Sequence, residues 1–216
     1  MTTVRFAIIG AGIAGASLAY RLSEALGDGA AIQLLEREDR PGYHSTGRSA
    51  AVFTETYGPP AIRALTAASR HFFDHPPTGF AAHPLLHPLG VLLVGGEDRR
   101  DKATELYQQC LALTSTIRLL EGREISDLVP VMRPEWAAVG MLEPDAMSMD
   151  VAQMHDGFLR GFKARGGALL TDCDVIGIER TQGRWTLQTR HQKIHADIII
   201  NAAGAWADEI TGLCGL

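Results

Sequence analysis

The chain has 216 residues, 46% hydrophobic and 21% charged, with a formal net charge of -5. That composition belongs to a globular protein of one large or two small domains and excludes collagen-like and disordered classes. The basic residues are scattered rather than striped, so no nucleic-acid partner is expected.

From the N-terminus, Val4 to Ile9 is rich in Val, Ile and Phe and alternates little, which predicts a parallel strand buried on both faces. Gly10, Gly12 and Gly15 follow in the pattern G-x-G-x-x-G, and Ala16 to Leu26 reads as a helix. The first glycine permits a tight turn, the second lets backbone approach a pyrophosphate, and the third allows the helix to pack on the sheet. A second strand, Ala31 to Leu35, ends at Glu36, placed to accept hydrogen bonds from a ribose hydroxyl. Strand, triad, helix, strand and acid together predict a dinucleotide site; the alternative is a glycine-rich turn without a ligand. Nicotinamide and flavin dinucleotides both satisfy this pattern.

Residues 59 to 73 read as a helix with Pro60 in its first turn and Ile62, Leu65, Ser69 and Phe72 at a helical interval, a face expected to pack in the core. A short strand is expected over Gly90 to Val94, then a helix over Asp98 to Leu113 capped by Glu97 or Asp98. Asp150 reads as an N-cap for a helix whose Val151, Met154, Phe158 and Phe162 form a core-facing stripe. Ile198 to Asn201 is a further buried strand.

Cys110, Cys173 and Cys214 are odd in number and widely spaced, which predicts free thiols rather than disulfides or a zinc site. His83 and His87 are four apart, but Pro84 and Pro88 deny them a helix, and His191 and His195 are expected to face solvent from a strand. No metal site is expected. No apolar run approaches the ~20 residues of a membrane-spanning helix, and Arg5 and the glycines interrupt the only apolar segment near the N-terminus. The expected location is the cytoplasm, with peripheral attachment at the inner face of a membrane as the alternative.

The stretch after the acid, "RPGYHSTGRSAAVF" (residues 40 to 53), is small and polar, with hydroxyls at Ser45, Thr46 and Ser49 and a single guanidinium at Arg48. Here the chain resembles the flavoenzyme superfamily of D-amino acid oxidase, glycine oxidase and sarcosine oxidase, and "PGYHSTGRSAA" looks most like the bacterial D-amino acid dehydrogenases of D-arginine type. "NAAGAWADEI" from Asn201 and "GALLTDCDVIGIER" (167 to 180) resemble two further segments of that superfamily.

The resemblance implies an α/β fold: a Rossmann-like, glutathione-reductase-like FAD-binding domain from 1–80 and 150–216, with the first part of an inserted α+β substrate-binding domain at 81–149. The relatives it points to are longer, so the chain is expected to be an N-terminal portion. The missing part would supply the rest of the substrate sheet, the carboxylate-binding arginines and a last glycine-rich flavin contact. FAD is the implied cofactor, held by Gly10, Gly12, Ile13, Ala14, Gly15, Glu36 and Arg37, then by His44, Ser45, Thr46, Arg48, Ser49, Ala50 and Ala51 along the flavin. Val175 is the implied adenine contact, and Ala202, Ala203, Gly204 and Trp206 pass beside the dinucleotide.

The implied reaction oxidises an amine: a hydride leaves the substrate α-carbon for flavin N5, and the imine is hydrolysed to a 2-oxo acid and ammonia. No dedicated triad is required, because the cofactor carries the chemistry. Thr54 and Tyr57 are substrate-side candidates, Tyr57 either as a hydrogen-bonding gate or as a packed loop aromatic. Val52 stands where the D-arginine-type pattern has a histidine, and Val91 where it has an acid. Burying an unpaired guanidinium against valines would cost on the order of several kcal/mol, so the expected substrate is a neutral or apolar D-amino acid. Oxidation of a 2-hydroxy acid and a non-catalytic FAD-binding module are the alternatives. Quinone and oxygen both stand open as electron acceptor.

Overall fold

A computed structural model describes residues 3–216. In chain order the strands are β1 (Val4–Ile9), β2 (Ala30–Leu35), β3 (Val52–Phe53), β4 (Leu86–Pro88), β5 (Val91–Gly95), β6 (Arg118–Glu121) and β7 (Val139–Glu143). They continue as β8 (Met147–Met149), β9 (Ala168–Leu170), β10 (Val175–Thr181), β11 (Arg184–Thr189), β12 (Lys193–Ala196) and β13 (Ile198–Asn201). The helices are α1 (Ile13–Leu26), α2 (Pro60–Asp74), α3 (Arg100–Leu111), α4 (Arg123–Leu128), α5 (Val151–Ala164) and α6 (Ala207–Leu213). Among the described residues no helix is long and apolar enough to cross a membrane, and no group of three or more His, Cys, Asp and Glu could hold a metal ion.

The chain divides into two compact units, the first taking the chain through Ala50, Pro77–Ala82 and Val151–Leu216. Its centre is a parallel sheet in the order β13-β1-β2-β9, in which Ile8 sits between Leu34 and Ile200. Parallel strands covered on both faces need continuous apolar runs, which "FAII" provides for β1; β13, expected to be a buried strand, instead lies at the sheet edge with Ile198 42% exposed. An antiparallel sheet, β10-β11-β12, shares a core with it through Ala7, Ile9, Leu35, Val175, Leu187 and Ile194.

Helix α1 packs on α5 through missing side chains. A Cβ on Gly161 would overlap the ring of Tyr20, and one on Gly157 would overlap the carbonyl of Phe80 and crowd its ring. Tyr20, Phe80 and Phe158 meet edge to face at centroid separations of 5.0–5.8 Å, the arrangement that ring quadrupoles favour. Met154, Phe158 and Phe162 of the expected α5 stripe are buried.

The second unit comprises Ala51–Pro76 and His83–Asp150 and holds two three-stranded antiparallel sheets, β3-β8-β4 and β5-β7-β6. The domain reading at 1–80, 81–149 and 150–216 differs from these units chiefly at residues 51–76, which pack in the second, and by one or two residues at 81–82 and 150. There β3 pairs with β8 through Val52↔Ser148 and Phe53↔Met147, and such pairing is invisible to local pattern.

Two local expectations are corrected. The α2 face expected in the core is open: Ile62 is 45% and Leu65 66% exposed, while Arg63 is turned inward and donates from Nε to the carbonyl of Gly58 at 2.7 Å. Helix α3 begins at Arg100 after a 3₁₀ turn over Glu97–Arg99, and neither acid caps it. Glu97 instead forms an ion pair with Arg100 at 2.6 Å, which holds its carboxyl below the usual range.

Candidate functional site

The glycine loop is built as its spacing predicts, and two of its three glycines are required by the backbone around them. Gly10 has φ +102°, and a Cβ there would overlap the carbonyl oxygen of Ala202. The same turn is pinned by hydrogen bonds from the Gly10 amide to Leu35 O at 2.8 Å and from the Ala202 amide to Ile9 O at 2.9 Å. A Cβ on Gly15 would overlap the carbonyl of Gly10 itself. Gly12 faces more open space, with only Thr46 Oγ1 near a Cβ position, at 3.1 Å.

At the N-terminus of α1 the Ile13 amide donates to Thr46 Oγ1 at 2.9 Å. Among the described residues no hydrogen bond engages the amides of Gly12, Ala14 and Gly15. Unpaired amides at the positive end of a helix suit an anion. Glu36 is 8% exposed at the end of β2; its Oε2 accepts the Ala11 amide and its Oε1 the Glu38 amide, each at 3.1 Å. A carboxylate has about four acceptor positions, so Glu36 braces the glycine loop and retains capacity for a ligand hydroxyl.

These residues line a cleft within the first unit. Its lining includes Gly10, Gly12, Glu36 and Arg37 from the glycine loop and the end of β2, His44, Ser45 and Thr46 from the following loop, and Val175, Ala202, Ala203, Gly204 and Trp206 from the C-terminal half. The Arg37 guanidinium lies 3.9 Å from the Trp206 ring centroid, and the His44 ring packs against the same indole at 4.6 Å. His44 Nε2 donates to Glu38 Oε1 at 2.7 Å and Arg37 Nε to the same oxygen at 3.1 Å. First His44 and then Arg37 thereby hold the Glu38 carboxyl below its ordinary range.

Other expected cofactor residues stand outside the lining. Ile13, Ala14 and Gly15 belong to the helix start beneath it, and Arg48 lies 4.9 Å from the Tyr43 ring centroid, at the end of the 3₁₀ turn Ser45–Arg48. Ser49, Ala50 and Ala51 follow beyond that turn, and Ala51 takes a left-handed φ of 52°. The cleft also includes Cys173, whose thiol burial pushes up in pKa, and Tyr43, neither of which the glycine pattern marks.

In the second unit, Val52, Thr54 and Tyr57 line an open groove with Phe53, Ile62, Leu65, Thr66, Ser69, Phe73 and Met149. Tyr57 is 71% exposed. Val91 does not line this groove; it lies on β5 opposite Glu143. Buried Glu143 organises the loop that carries Thr54. Its Oε2 accepts the hydroxyls of Thr54, at 2.6 Å, and Thr56, and its Oε1 accepts the Glu55 amide at 2.9 Å. Sequence reasoning missed Glu143, because its partners lie almost ninety positions away. It also missed buried His155, whose position beside Met154 in the α5 stripe was the only local signal.

The cleft fits a dinucleotide: a cradle from which side chains are excluded, unpaired helix-terminal amides, a buried carboxylate, and a flat indole with a guanidinium against it. Comparison with known proteins gives the same result. The family model described as FAD dependent oxidoreductase matches residues 5–216. L-2-hydroxyglutarate dehydrogenase of Escherichia coli O17:K52:H18 is 25% identical over 220 residues, 98% of this chain and 50% of that protein. Mitochondrial dimethylglycine dehydrogenase of Rattus norvegicus is 24% identical over 212 residues, 97% of this chain and 24% of its own length. In structure, glycine oxidase from Geobacillus kaustophilus superposes with a TM-score of 0.82 at 18% identity, over 99% of this chain and 59% of the oxidase. The chain thus spans half or less of the length of these two curated relatives. With its glycine cradle, its buried acid and a family match running almost from end to end, the chain belongs to the DAO family of FAD-dependent oxidoreductases.

Proposed function

We propose that this chain is the FAD-holding part of an oxidoreductase that oxidises the α-carbon of a small amino acid, a D-amino acid with a neutral or apolar side chain. The observation that carries the substrate class is the groove of the second unit, whose lining of Val52, Phe53, Tyr57, Ile62, Leu65, Phe73 and Met149 with the hydroxyls of Thr54, Thr66 and Ser69 contains no charged side chain. The lining thus offers apolar contact and hydroxyls to a side chain, and a nearby charge, the Arg70 guanidinium over the Phe53 ring at 5.5 Å, is already paired with Glu55. The similarity to a dehydrogenase named for dimethylglycine supports an amine as the oxidised group.

In this reading the free amides of Gly12, Ala14 and Gly15 take the pyrophosphate, and Glu36 accepts the ribose hydroxyls. The Val175 backbone meets the adenine, with Arg37 and Trp206 beside it. Ser45, Thr46, Arg48, Ser49, Ala50 and Ala51 follow the cofactor towards the flavin. Bound FAD supplies a hydride acceptor. The protein's own task is to orient the α-carbon and to exclude water, and Thr54 is fixed within its own loop by its hydrogen bond to Glu143.

A second reading, oxidation of a 2-hydroxy acid, is favoured by the similarity to L-2-hydroxyglutarate dehydrogenase across 98% of the chain. The deciding experiment is an absorbance spectrum of the purified protein with FAD, followed by anaerobic addition of D-leucine, D-methionine, D-arginine or L-2-hydroxyglutarate in separate cells. Bleaching by D-leucine or D-methionine ahead of D-arginine is the expected result. Faster bleaching by D-arginine removes the apolar assignment, and bleaching by L-2-hydroxyglutarate alone establishes the second reading. Retained flavin that no substrate reduces leaves an FAD-holding module without its substrate half.

A further inference from the structure

We propose that His155 is a positioning residue of the cofactor cradle, a brace that locks the glycine loop and the Gly42–Gly47 loop into a single anion seat. The proposal rests on the FAD reading of the cleft and adds to it a residue outside the cleft lining. His155 lies on α5 and is 5% exposed. Its Nε2 is 2.8 Å from the carbonyl oxygen of Ala11, between the first two glycines of the triad. A carbonyl oxygen can only accept, so Nε2 carries a hydrogen and donates it.

The same ring fills the space left by the absent side chain of Gly42. A Cβ there would stand 3.0 Å from His155 Cε1 and 3.1 Å from Nδ1, and Gly42 already has φ +76°. Gly42 in turn closes its own loop, because its carbonyl accepts the Gly47 amide at 2.9 Å. That closure sets the place of Thr46, whose hydroxyl accepts the Ile13 amide at the start of α1. One imidazole thus touches both loops: it holds the Ala11 carbonyl by a hydrogen bond and abuts the loop that caps the helix.

Fixing the Ala11 carbonyl also fixes the peptide plane it shares with the Gly12 amide, one of the unpaired donors. Preorganised donors bind an anion without a reorganisation cost. Loss of the brace therefore weakens anion binding although His155 makes no contact with the anion.

The test compares His155→Leu, which removes the donor, with His155→Gln, whose amide nitrogen can reach the same carbonyl. NMR amide exchange without ligand is followed at Ala11, Ile13 and Gly47, and FAD affinity by flavin fluorescence. Faster exchange at these three amides in His155→Leu, with about tenfold weaker FAD binding and recovery of both in His155→Gln, is expected for one lost hydrogen bond of ordinary strength. Unchanged exchange in His155→Leu, or a His155→Gln variant no better than His155→Leu, overturns the brace. If His155→Leu does not fold, nitrogen chemical shifts of the wild-type imidazole decide: a ring protonated only at Nδ1 overturns the proposal. Should the wild-type protein take up no FAD, the cofactor reading falls on its own, while the exchange rates still decide the role of His155.

Discussion

Thr46 caps helix α1 from a distance: its Oγ1 accepts the Ile13 amide at 2.9 Å, 33 positions upstream in the chain. The residue at the N-cap itself is Gly12, which has no side chain to offer. A glycine there leaves room for a ligand, and the cap is supplied by a second loop. Thr46→Val is expected to lose about 1 kcal/mol of stability, the usual value of an N-cap, together with FAD affinity. Thr46→Ser keeps the hydroxyl and should remain near wild type. Urea denaturation and FAD titration of the two variants check this.

The three glycines separate by what a methyl group meets. Gly10→Ala and Gly15→Ala each drive a Cβ into a backbone carbonyl, and Gly10 is also left-handed at φ +102°. Both are expected to lose about 2 kcal/mol or more. Gly12→Ala meets only the Thr46 hydroxyl at 3.1 Å, so it should keep most of its stability while losing FAD affinity. Thermal melts without cofactor, paired with FAD titrations, would show whether the ranking holds.

Glu143 gathers three donors onto one buried carboxylate: the hydroxyls of Thr54 and Thr56 and the amide of Glu55. Glu143→Leu strands all three, and an unsatisfied buried polar group costs about 1–3 kcal/mol, so a loss of about 3 kcal/mol is expected. Glu143→Gln retains one acceptor oxygen and should lose less. A shift of the denaturation midpoint with an unchanged slope would mark this as a change in folding stability alone.

The Arg5–Asp197 pair ties the start of β1 to the turn before β13. Asp197 Oδ2 accepts the Arg5 amide at 3.0 Å, Oδ1 accepts Arg5 Nη2 at 3.3 Å, and these contacts hold the Asp197 carboxyl below its ordinary range. A carboxyl whose pKa is lower when folded stabilises the protein above the pKa of the unfolded chain, here 3.8, and loses that contribution as pH falls through the folded value. Asp197→Asn should therefore melt below wild type at neutral pH, with the gap closing in acid beneath pH 3.8. A gap independent of pH would show that the carboxylate charge contributes nothing.

Much of the first unit was legible because its determinants are local. The run Val4 to Ile9, the three glycines and the acid at Glu36 each specify a backbone geometry within a few residues, and β1, α1 and β2 follow them closely. The aromatic stripe of α5 was equally plain, since a 3.6-residue period survives whatever it packs against.

Long-range pairing decided the rest. Residues 51–76 join the second unit, where Val52 and Phe53 pair with β8, and on α2 Arg63 is buried while Ile62 and Leu65 are exposed. The sequence by itself determined the family, the dinucleotide cradle and the strands and helix that build it. Only the tertiary structure decided that Thr46 caps Ile13, that Glu143 gathers the Thr54–Thr56 loop and that His155 reaches Ala11. The reason is physical: a strand or a glycine turn is specified by neighbouring residues, whereas a hydrogen bond across many positions exists only once the chain has folded around it.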